Sequence, residues 1–273
     1  MSVYNMSRIV LGIEYDGSLF SGWQCQKDKR TVQGEVEKAL SKVANQTISV
    51  RCTGRTDSGV HALEQVVHFD TDVSRELKSW VMGGNINLPE DVRVIWAKHA
   101  VDDFHARYSA IARFYRYKIL NRPMKSALAR SQVTWCYAPL DELKMHQAAQ
   151  ALLGMHDFSS FRAKGCQSVS PNRLMYFINV YREGDNVMID LSANAFVHHM
   201  VRNIAGVLMA IGAGDKPVSW TEELLEIKDR KQSGVTAPPY GLYLGGVYYP
   251  EKYGIKKNPV FDLLPADASR FEY

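Results

Sequence analysis

The sequence predicts an α+β fold of two halves, each with the β-α-β-β-α-β order of ferredoxin-like (RNP-like) units. Two observations lead to it. Segments with strand alternation and segments with helical periodicity follow one another in this order twice along the 273 residues. No low-complexity tract or Pro/Gly/Ser-rich linker separates the repeats. We therefore expect two tightly coupled domains, residues 1–105 and 106–273, whose antiparallel or mixed sheets meet face to face or edge to edge around a central cleft.

The first half contains four segments that alternate like strands and two with helical spacing. The predicted strands are Arg8–Tyr15, Ile48–Thr53, Glu64–Thr71 and Val92–Ala97. The predicted helices are Thr31–Ala44, with Thr31 as its N-cap, and Arg75–Met82, which we expect to end at Gly83-Gly84.

The second half repeats the pattern. The predicted strands are Ala112–Leu120, Leu174–Arg182, Asn186–Ser192 and Leu242–Tyr249, and the predicted helices are Leu140–Leu153 and Phe196–Ile211. The middle two strands form a hairpin around Glu183-Gly184-Asp185. A short additional helix, with Ser219 and Glu222 as a capping box, precedes the last strand.

Composition restricts the class of protein. Apolar residues make up 46% of the chain and charged residues 23%, as in a globular protein with a core. No run of about 18 apolar residues predicts a membrane span. The first residues lack the basic and apolar regions of a secretory signal, so we expect a cytoplasmic protein.

Positive charge is concentrated in the second half. Residues 106–273 carry 21 Lys/Arg against 15 Asp/Glu, and residues 104–140 contain seven basic side chains and no acidic one. Aromatic residues interleave with these cations, a combination that suits phosphate contacts beside base stacking. A solvated basic face is an equally good interpretation of charge alone. The RNA-contact candidates from the basic stretches are Arg107, Arg113 and Arg162.

We expect no metal site. The four cysteines are scattered without a C-x-x-C pair. His198 and His199 are the only adjacent histidines, and in the helix predicted there their side chains would point about 100° apart.

A polar bend, "TGRTDSGVH" (residues 53–61), lies between two predicted strands. Asp and Gly are usual turn residues, so a hairpin turn explains Asp57 without chemistry. However, five of the seven residues from Arg55 to His61 are polar. Along an extended strand Arg55 would face the same side as Asp57 and keep its carboxylate ionised. The pattern alone leaves both interpretations open.

Two further stretches carry candidate residues. In "RFYRYKIL" (113–120), alternation places Tyr115 and Tyr117 on one strand face, either in the core or lining a cleft where a tyrosine stacks on a base. In "FVHHMVRNIAG" (196–206), Arg202 lies beside the apolar stripe of the predicted helix. It requires either a carboxylate partner or an extended path to water.

Taken together, the motifs resemble the tRNA pseudouridine synthase A family over nearly the whole chain. The resemblance rests on seven motifs in the family's order and spacing: YDGSLFSGWQ, GRTDSGVHA, NINLPEDVRV, FHARYSAIARFYRY, HDFSSFRA, FVHHMVRNIAG and APPYGLYL. Members commonly have Ala after the motif Asp, where this chain has Ser58.

The resemblance implies roles for four residues. Asp57 matches the catalytic aspartate, Tyr115 the tyrosine that packs on the target base, and Arg202 the arginine that pairs with the catalytic carboxylate. Arg55 matches the arginine that holds the flipped nucleotide. Asp57 would act as a nucleophile at C1′ or as a base at C2′, and the sequence does not distinguish these routes.

The resemblance also implies a substrate and an assembly. The central cleft would be catalytic, would need no metal or organic cofactor, and would isomerise uridines 38, 39 and 40 in the anticodon arm of tRNA. The protein would be a homodimer. The target base must leave its stack, which costs a few kcal/mol.

Two alternatives belong to other classes. An RNA-binding protein with RRM-like halves and no chemistry is disfavoured because the sequence lacks an RNP1 motif. A metal-dependent hydrolase would use Asp57 with His61 and His68. We expect those histidines on opposite faces of one strand, where they do not converge.

Overall fold

The structure is a computed structural model, which describes residues 6–264. These residues contain ten strands and five α-helices, so the predicted α+β class is confirmed. They divide into two compact units, residues 6–111 with 244–259 and residues 112–243 with 260–264. Whereas the sequence-based boundary was placed at 105/106, the first unit extends to Ile111 and includes most of the last strand.

The first unit has the expected order of elements. They are β1 (Ser7–Tyr15), α1 (Val32–Ala44), β2 (Arg51–Cys52), β3 (His61–Thr71), α2 (Leu77–Asn87) and β4 (Val92–Ala100). β1 lies between β3 and β4, and β2 pairs with the other edge of β3, all antiparallel. β4, β1 and β3 are consecutive in the sheet, with β2 off this path, and the ferredoxin-like form of the half stays a prediction. β2 is shorter than the strand predicted over Ile48–Thr53.

Both faces of this sheet are buried. On one face Phe69 of β3 packs edge-on against Trp80 of α2, with ring centroids 5.0 Å apart. On the other, Val10 and Val66 belong to a core cluster with Phe104 and Tyr249. A sheet covered on both sides tolerates near-continuous apolar strands, which explains the run Ile9–Leu11 in β1.

The caps and ends of the first unit's helices agree only in part with prediction. Thr31 caps α1, accepting a hydrogen bond from the Gly34 amide at 3.3 Å. The predicted end of α2 at Gly83-Gly84 is wrong, because the helix continues to Asn87. A Cβ at Gly83 would lie 3.0 Å from the Val43 side chain. The glycines therefore allow α2 to pack closely on α1 rather than ending the helix.

The second unit is built on an antiparallel arrangement β5-β9-β8-β7, with the short β6 parallel to β5. Its elements are β5 (Ala112–Asn121), β6 (Thr134–Cys136), α3 (Glu142–Ala149), β7 (Gly154–Asp157), β8 (Asn172–Glu183), β9 (Asn186–Ala193), α4 (Met200–Gly212) and α5 (Trp220–Ile227). β10 (Leu242–Tyr248) begins in this unit and ends in the first. The predicted hairpin is confirmed as β8-β9.

In the second unit the start of one helix and the cap of another differ from the prediction. The helix predicted from Phe196 begins at Met200, after His199, whose φ of 61° is left-handed. The apolar stripe from Val201 to Ile211 is nevertheless buried. At α5 the capping box does not form, because the Ser219 hydroxyl donates to the Glu223 carboxylate at 2.7 Å. Among the described residues, no helix is both long and apolar enough to cross a membrane.

Candidate active site

Asp57 lies in the loop that joins β2 to β3. The strands are antiparallel, with Arg51 opposite His68 and Cys52 opposite Val67. The Thr53 amide extends the ladder by donating to the Val66 carbonyl at 2.9 Å. The loop, residues 53–60, is called the Asp57 loop below. The hairpin-turn expectation is therefore confirmed.

A tight turn at the end of the Asp57 loop sets the position of the carboxylate. The Val60 amide donates to the Asp57 carbonyl at 3.2 Å, and Gly59 has a φ of 80°. A positive φ at the third turn position is typical of a type II turn and favours glycine. Asp57 is half-buried and Arg55 is exposed. Residues 55–57 are not a strand, so strand alternation does not apply to them. That Arg55 and Asp57 face the same side stays a prediction.

The segment of residues 15–23, at the end of β1 and after it, is hydrogen-bonded to the Asp57 loop. The Trp23 amide donates to the Thr56 carbonyl at 3.0 Å, and the hydroxyls of Tyr15 and Thr56 are 2.7 Å apart and buried. The Ser58 hydroxyl donates to the Phe20 carbonyl at 3.0 Å. The backbone on either side of Asp57 is thus fixed by hydrogen bonds to residues 15–23.

Two glycines of the segment 15–23 allow it to approach the backbone of the Asp57 loop closely. A Cβ at Gly22 would lie 2.8 Å from the Thr56 carbonyl oxygen, and Gly22 has a φ of 90°. A Cβ at Gly17 would collide with the backbone carbonyl of Val60. Sequence reasoning treated "YDGSLFSGWQ" as turns and core and missed that it positions Asp57. The two glycines within six residues, with Tyr15 and Trp23 on either side, were the available signal.

The histidines of the hydrolase alternative have structural partners. His61 Nδ1 lies 3.1 Å from the Gly17 amide nitrogen and 3.1 Å from Asp16 Oδ1. His68 Nδ1 accepts the Ala106 amide at 3.1 Å, and both rings are 2% exposed. Burial lowers the pKa of His68 to about 4, so it is neutral at pH 7. These contacts explain both histidines without a metal.

In the second unit, Tyr115 and Tyr117 have different surroundings on β5. The Tyr117 ring is buried, and its hydroxyl lies 2.6 Å from that of Thr134 and donates to the Pro238 carbonyl at 2.7 Å. Burial raises the pKa of Tyr117. Tyr115 is only half-buried and meets Phe196 edge-on, with centroids 4.9 Å apart. Of the two, Tyr115 has the exposure that a base-stacking role requires.

Arg202 lies in the first turn of α4. Its Nε donates to the Ala237 carbonyl at 2.8 Å, and the Ala237 amide donates back to the Arg202 carbonyl at 3.1 Å. This pair of bonds ties α4 to the "APPYGL" motif. His198 precedes the helix.

The rings of His198 and His199 lie in contact, with centroids 4.0 Å apart and planes tilted by 41°. The reasoning that a helix would separate them was therefore wrong, because neither residue is helical. The expectation of no metal does not follow from helical geometry and stays a prediction.

The basic candidates differ in what they contact. Arg113 donates to the Asn194 carbonyl at 2.6 Å, and Arg162 donates to the Cys166 carbonyl at 3.0 Å, so both support local backbone. Arg107, in the first unit, is exposed. Several cations of the acid-free stretches meet acids from distant segments; Arg116 pairs with Asp190 at 2.6 Å. Charge counted along the sequence therefore overstates the unpaired positive charge.

Comparisons with known proteins match most of the chain. The family described as tRNA pseudouridine synthase matches residues 12–109 and 148–250. A protein named tRNA pseudouridine synthase A from Methylococcus capsulatus is 61% identical over 97% of this chain and 98% of its own. Proteins of the same name from Nitrosococcus oceani and Coxiella burnetii are 56% and 54% identical. These two matches cover 92% and 93% of this chain and 96% and 98% of theirs. The chain therefore belongs to the tRNA pseudouridine synthase family, the isomerases that convert uridine to pseudouridine in tRNA.

Proposed function

We propose that Asp57 carries the isomerisation and that the targets are uridines 38, 39 and 40 in the anticodon arm of tRNA. One observation supports Asp57 most: a half-exposed carboxylate stands on a loop whose backbone is fixed on both sides. A reacting group must be held in a productive geometry, and these hydrogen bonds fix the backbone on both sides of Asp57.

The reaction has a defined balance of bonds. The C1′–N1 glycosidic bond breaks, the uracil turns and C5 bonds to C1′; the proton on C5 is lost to solvent, and N1 takes up a proton from solvent. An ionised Asp57 would attack C1′ or remove the C2′ proton. Both routes require the same carboxylate, so substitution of Asp57 tests the residue and not the route.

The other site residues are proposed from the family pattern and their exposure. Tyr115, half-buried at β5, would hold the released uracil face-on, where stacking on an aromatic ring is worth about 1–3 kcal/mol per base. Arg202 would pair with the catalytic carboxylate, and exposed Arg55 would hold the flipped nucleotide's phosphate. Arg107, Arg113 and Arg162 stay proposed RNA contacts.

Tritium release from tRNA labelled at uracil C5 tests the proposal directly. With chelator present, wild-type protein should release tritium, whereas Asp57→Asn should release none and still bind tRNA. Asp28→Asn is the matched control, because Asp28 is exposed and has a left-handed φ of 57° that asparagine tolerates. Normal turnover by Asp57→Asn would refute the assignment.

The remaining parts of the proposal have separate tests. Substitution of uridine 38, 39 or 40 should remove pseudouridine at that position alone, as mapped by carbodiimide-dependent primer extension. Binding without tritium release by the wild-type protein would support the non-catalytic alternative.

We also propose a homodimer in the cytoplasm, so sedimentation velocity should give about twice the chain mass.

A further inference from the structure

An exposed aromatic ring stands on the first unit in the turn after β4. Tyr108 is 76% exposed, yet its ring contacts that of His105, with centroids 4.4 Å apart and planes tilted by 35°. His105 in turn contacts the buried His68, at 4.7 Å between centroids. The Tyr108 ring is therefore supported by the His105 ring, which is itself supported by the His68 ring.

The turn that carries Tyr108 is rigid before any ligand binds. His105 Nδ1 accepts the amides of Arg107 at 3.0 Å and Tyr108 at 3.3 Å. The Ser109 hydroxyl accepts the His105 amide at 2.9 Å, and the Ser109 amide donates back to the His105 carbonyl at 2.9 Å. Because these bonds fix the backbone, ordering Tyr108 would cost little on binding.

This turn is anchored to the Asp57 loop. Ala106 is fully buried, and its carbonyl accepts the Thr53 hydroxyl at 2.9 Å and the Tyr249 hydroxyl at 2.6 Å. Thr53 is the first residue of the Asp57 loop. A ligand on Tyr108 would thus lie beside the segment that presents Arg55 and Asp57.

The surroundings of Tyr108 are positively charged. Arg51, Arg55 and Arg107 are exposed. The guanidinium carbon of Arg107 lies over the Tyr108 ring, 5.6 Å from its centroid. Burial and then the charges of Arg51, Arg8 and Arg107 lower the pKa of His105. The nearby Asp70 carboxylate is bound by Arg8 at 2.7 Å.

We infer that Tyr108, Arg51 and Arg107 bind one unpaired nucleotide of the substrate RNA next to the target uridine. The base stacks on the outer face of Tyr108, and the flanking phosphates contact the two arginines. An aromatic ring between cations matches the alternation of base and phosphate in a single strand. The inference rests on the proposed function for the identity of the RNA as the anticodon arm.

Binding of unmodified tRNA by Tyr108 variants tests the inference. Tyr108→Ala should raise Kd by about 5- to 100-fold, because one stacked base is lost. Tyr108→Phe keeps the ring and should bind within about twofold of wild type. Ile86→Ala is the control: Ile86 is an exposed apolar residue of the same unit, at 81% exposure. Arg107→Gln should reduce the slope of log K against log salt by about one.

The kinetic and spectroscopic readouts separate stacking from a structural role. In Tyr108→Ala the loss should fall in KM rather than kcat. In Tyr108→Trp, saturating tRNA should quench emission beyond the quenching seen in wild type. Tyr108→Ala binding within twofold of wild type would overturn the inference, as would equal losses in the Ala and Phe variants.

The same experiments distinguish failure of the proposed function from failure of the nucleotide site. If the wild type makes no pseudouridine but Tyr108→Ala still weakens RNA binding, the nucleotide site stands and the catalytic proposal fails. If Asp57→Asn abolishes turnover while Tyr108→Ala binds normally, the catalytic proposal stands and the nucleotide site fails.

Discussion

The hydroxyl of Tyr15, at the end of β1, lies 2.7 Å from the hydroxyl of Thr56, the residue immediately before Asp57. Thr56 is 7% exposed and Tyr15 is 3% exposed, so this bond is shielded from water. It joins the first strand of the unit to the loop that presents the carboxylate. Its effect on Asp57 can be measured.

Removal of this bond should reduce turnover more than RNA binding. Tyr15→Phe and Thr56→Val should each lower kcat several-fold with little change in KM, since Asp57 would lose part of its support. A double-mutant cycle should give a coupling energy of about 1 kcal/mol in thermal or urea unfolding. Additive single effects, with kcat unchanged, would show that the bond does not position Asp57.

Glycines near the Asp57 loop should differ sharply in tolerance. Gly17→Ala places a Cβ against the Val60 carbonyl, so the backbone must move and tritium release should fall at least tenfold. Gly54→Ala is the matched control within the loop, because its Cβ would meet nothing within 4 Å. The two variants should be compared by kcat and by circular dichroism. Similar kcat values in both would contradict the close-approach explanation.

Acid should destabilise the first unit partly through His68. Its folded pKa is about 4 and its unfolded pKa about 6.5, so between these values only the unfolded chain binds the proton. The stabilisation is complete above about pH 6.5 and decreases as the pH falls towards 4. His68→Asn keeps an acceptor for the Ala106 amide but does not titrate.

Urea unfolding at pH 7 and pH 5 measures this contribution. The wild type should lose about 2 kcal/mol more unfolding free energy than His68→Asn between these pH values. Equal losses in the two proteins would show that His68 titrates normally in the folded state.

A cross-strand ion pair should stabilise the strand that carries Tyr115. Arg116 of β5 lies opposite Asp190 of β9 and contacts both of its carboxylate oxygens, at 2.7 and 2.6 Å. The Tyr181 hydroxyl donates to the same carboxylate at 3.1 Å. Arg116→Met leaves a carboxylate that is 7% exposed without its cation, so it should cost about 2–3 kcal/mol.

The double variant Arg116→Met/Asp190→Leu distinguishes the pair from mere packing. Because it removes both charges, it should be more stable than Arg116→Met alone in urea unfolding. The reverse order of stability would show that the arginine stem, not its charge, stabilises β5.

Local sequence patterns predicted the elements of the first unit and the hairpin loop at Asp57. Alternation and helical periodicity report which side chains face a core, and α1 with its Thr31 cap follows from residues that are neighbours along the chain. The family resemblance, carried by motifs, identified Asp57, Tyr115 and Arg202 as the residues to examine. These features depend on short-range order, which the sequence contains directly.

Tertiary structure decided the rest. The apolar period of α4 extends back through Val197, yet the left-handed backbone at His199 starts the helix at Met200. The contacts Tyr15–Thr56 and Arg116–Asp190 join residues 41 and 74 positions apart. Periodicity records burial but not the partner of a buried polar group. That partner is fixed only when distant segments pack. The sequence motifs therefore identified Asp57, but only the tertiary structure shows which hydrogen bonds hold its loop in place.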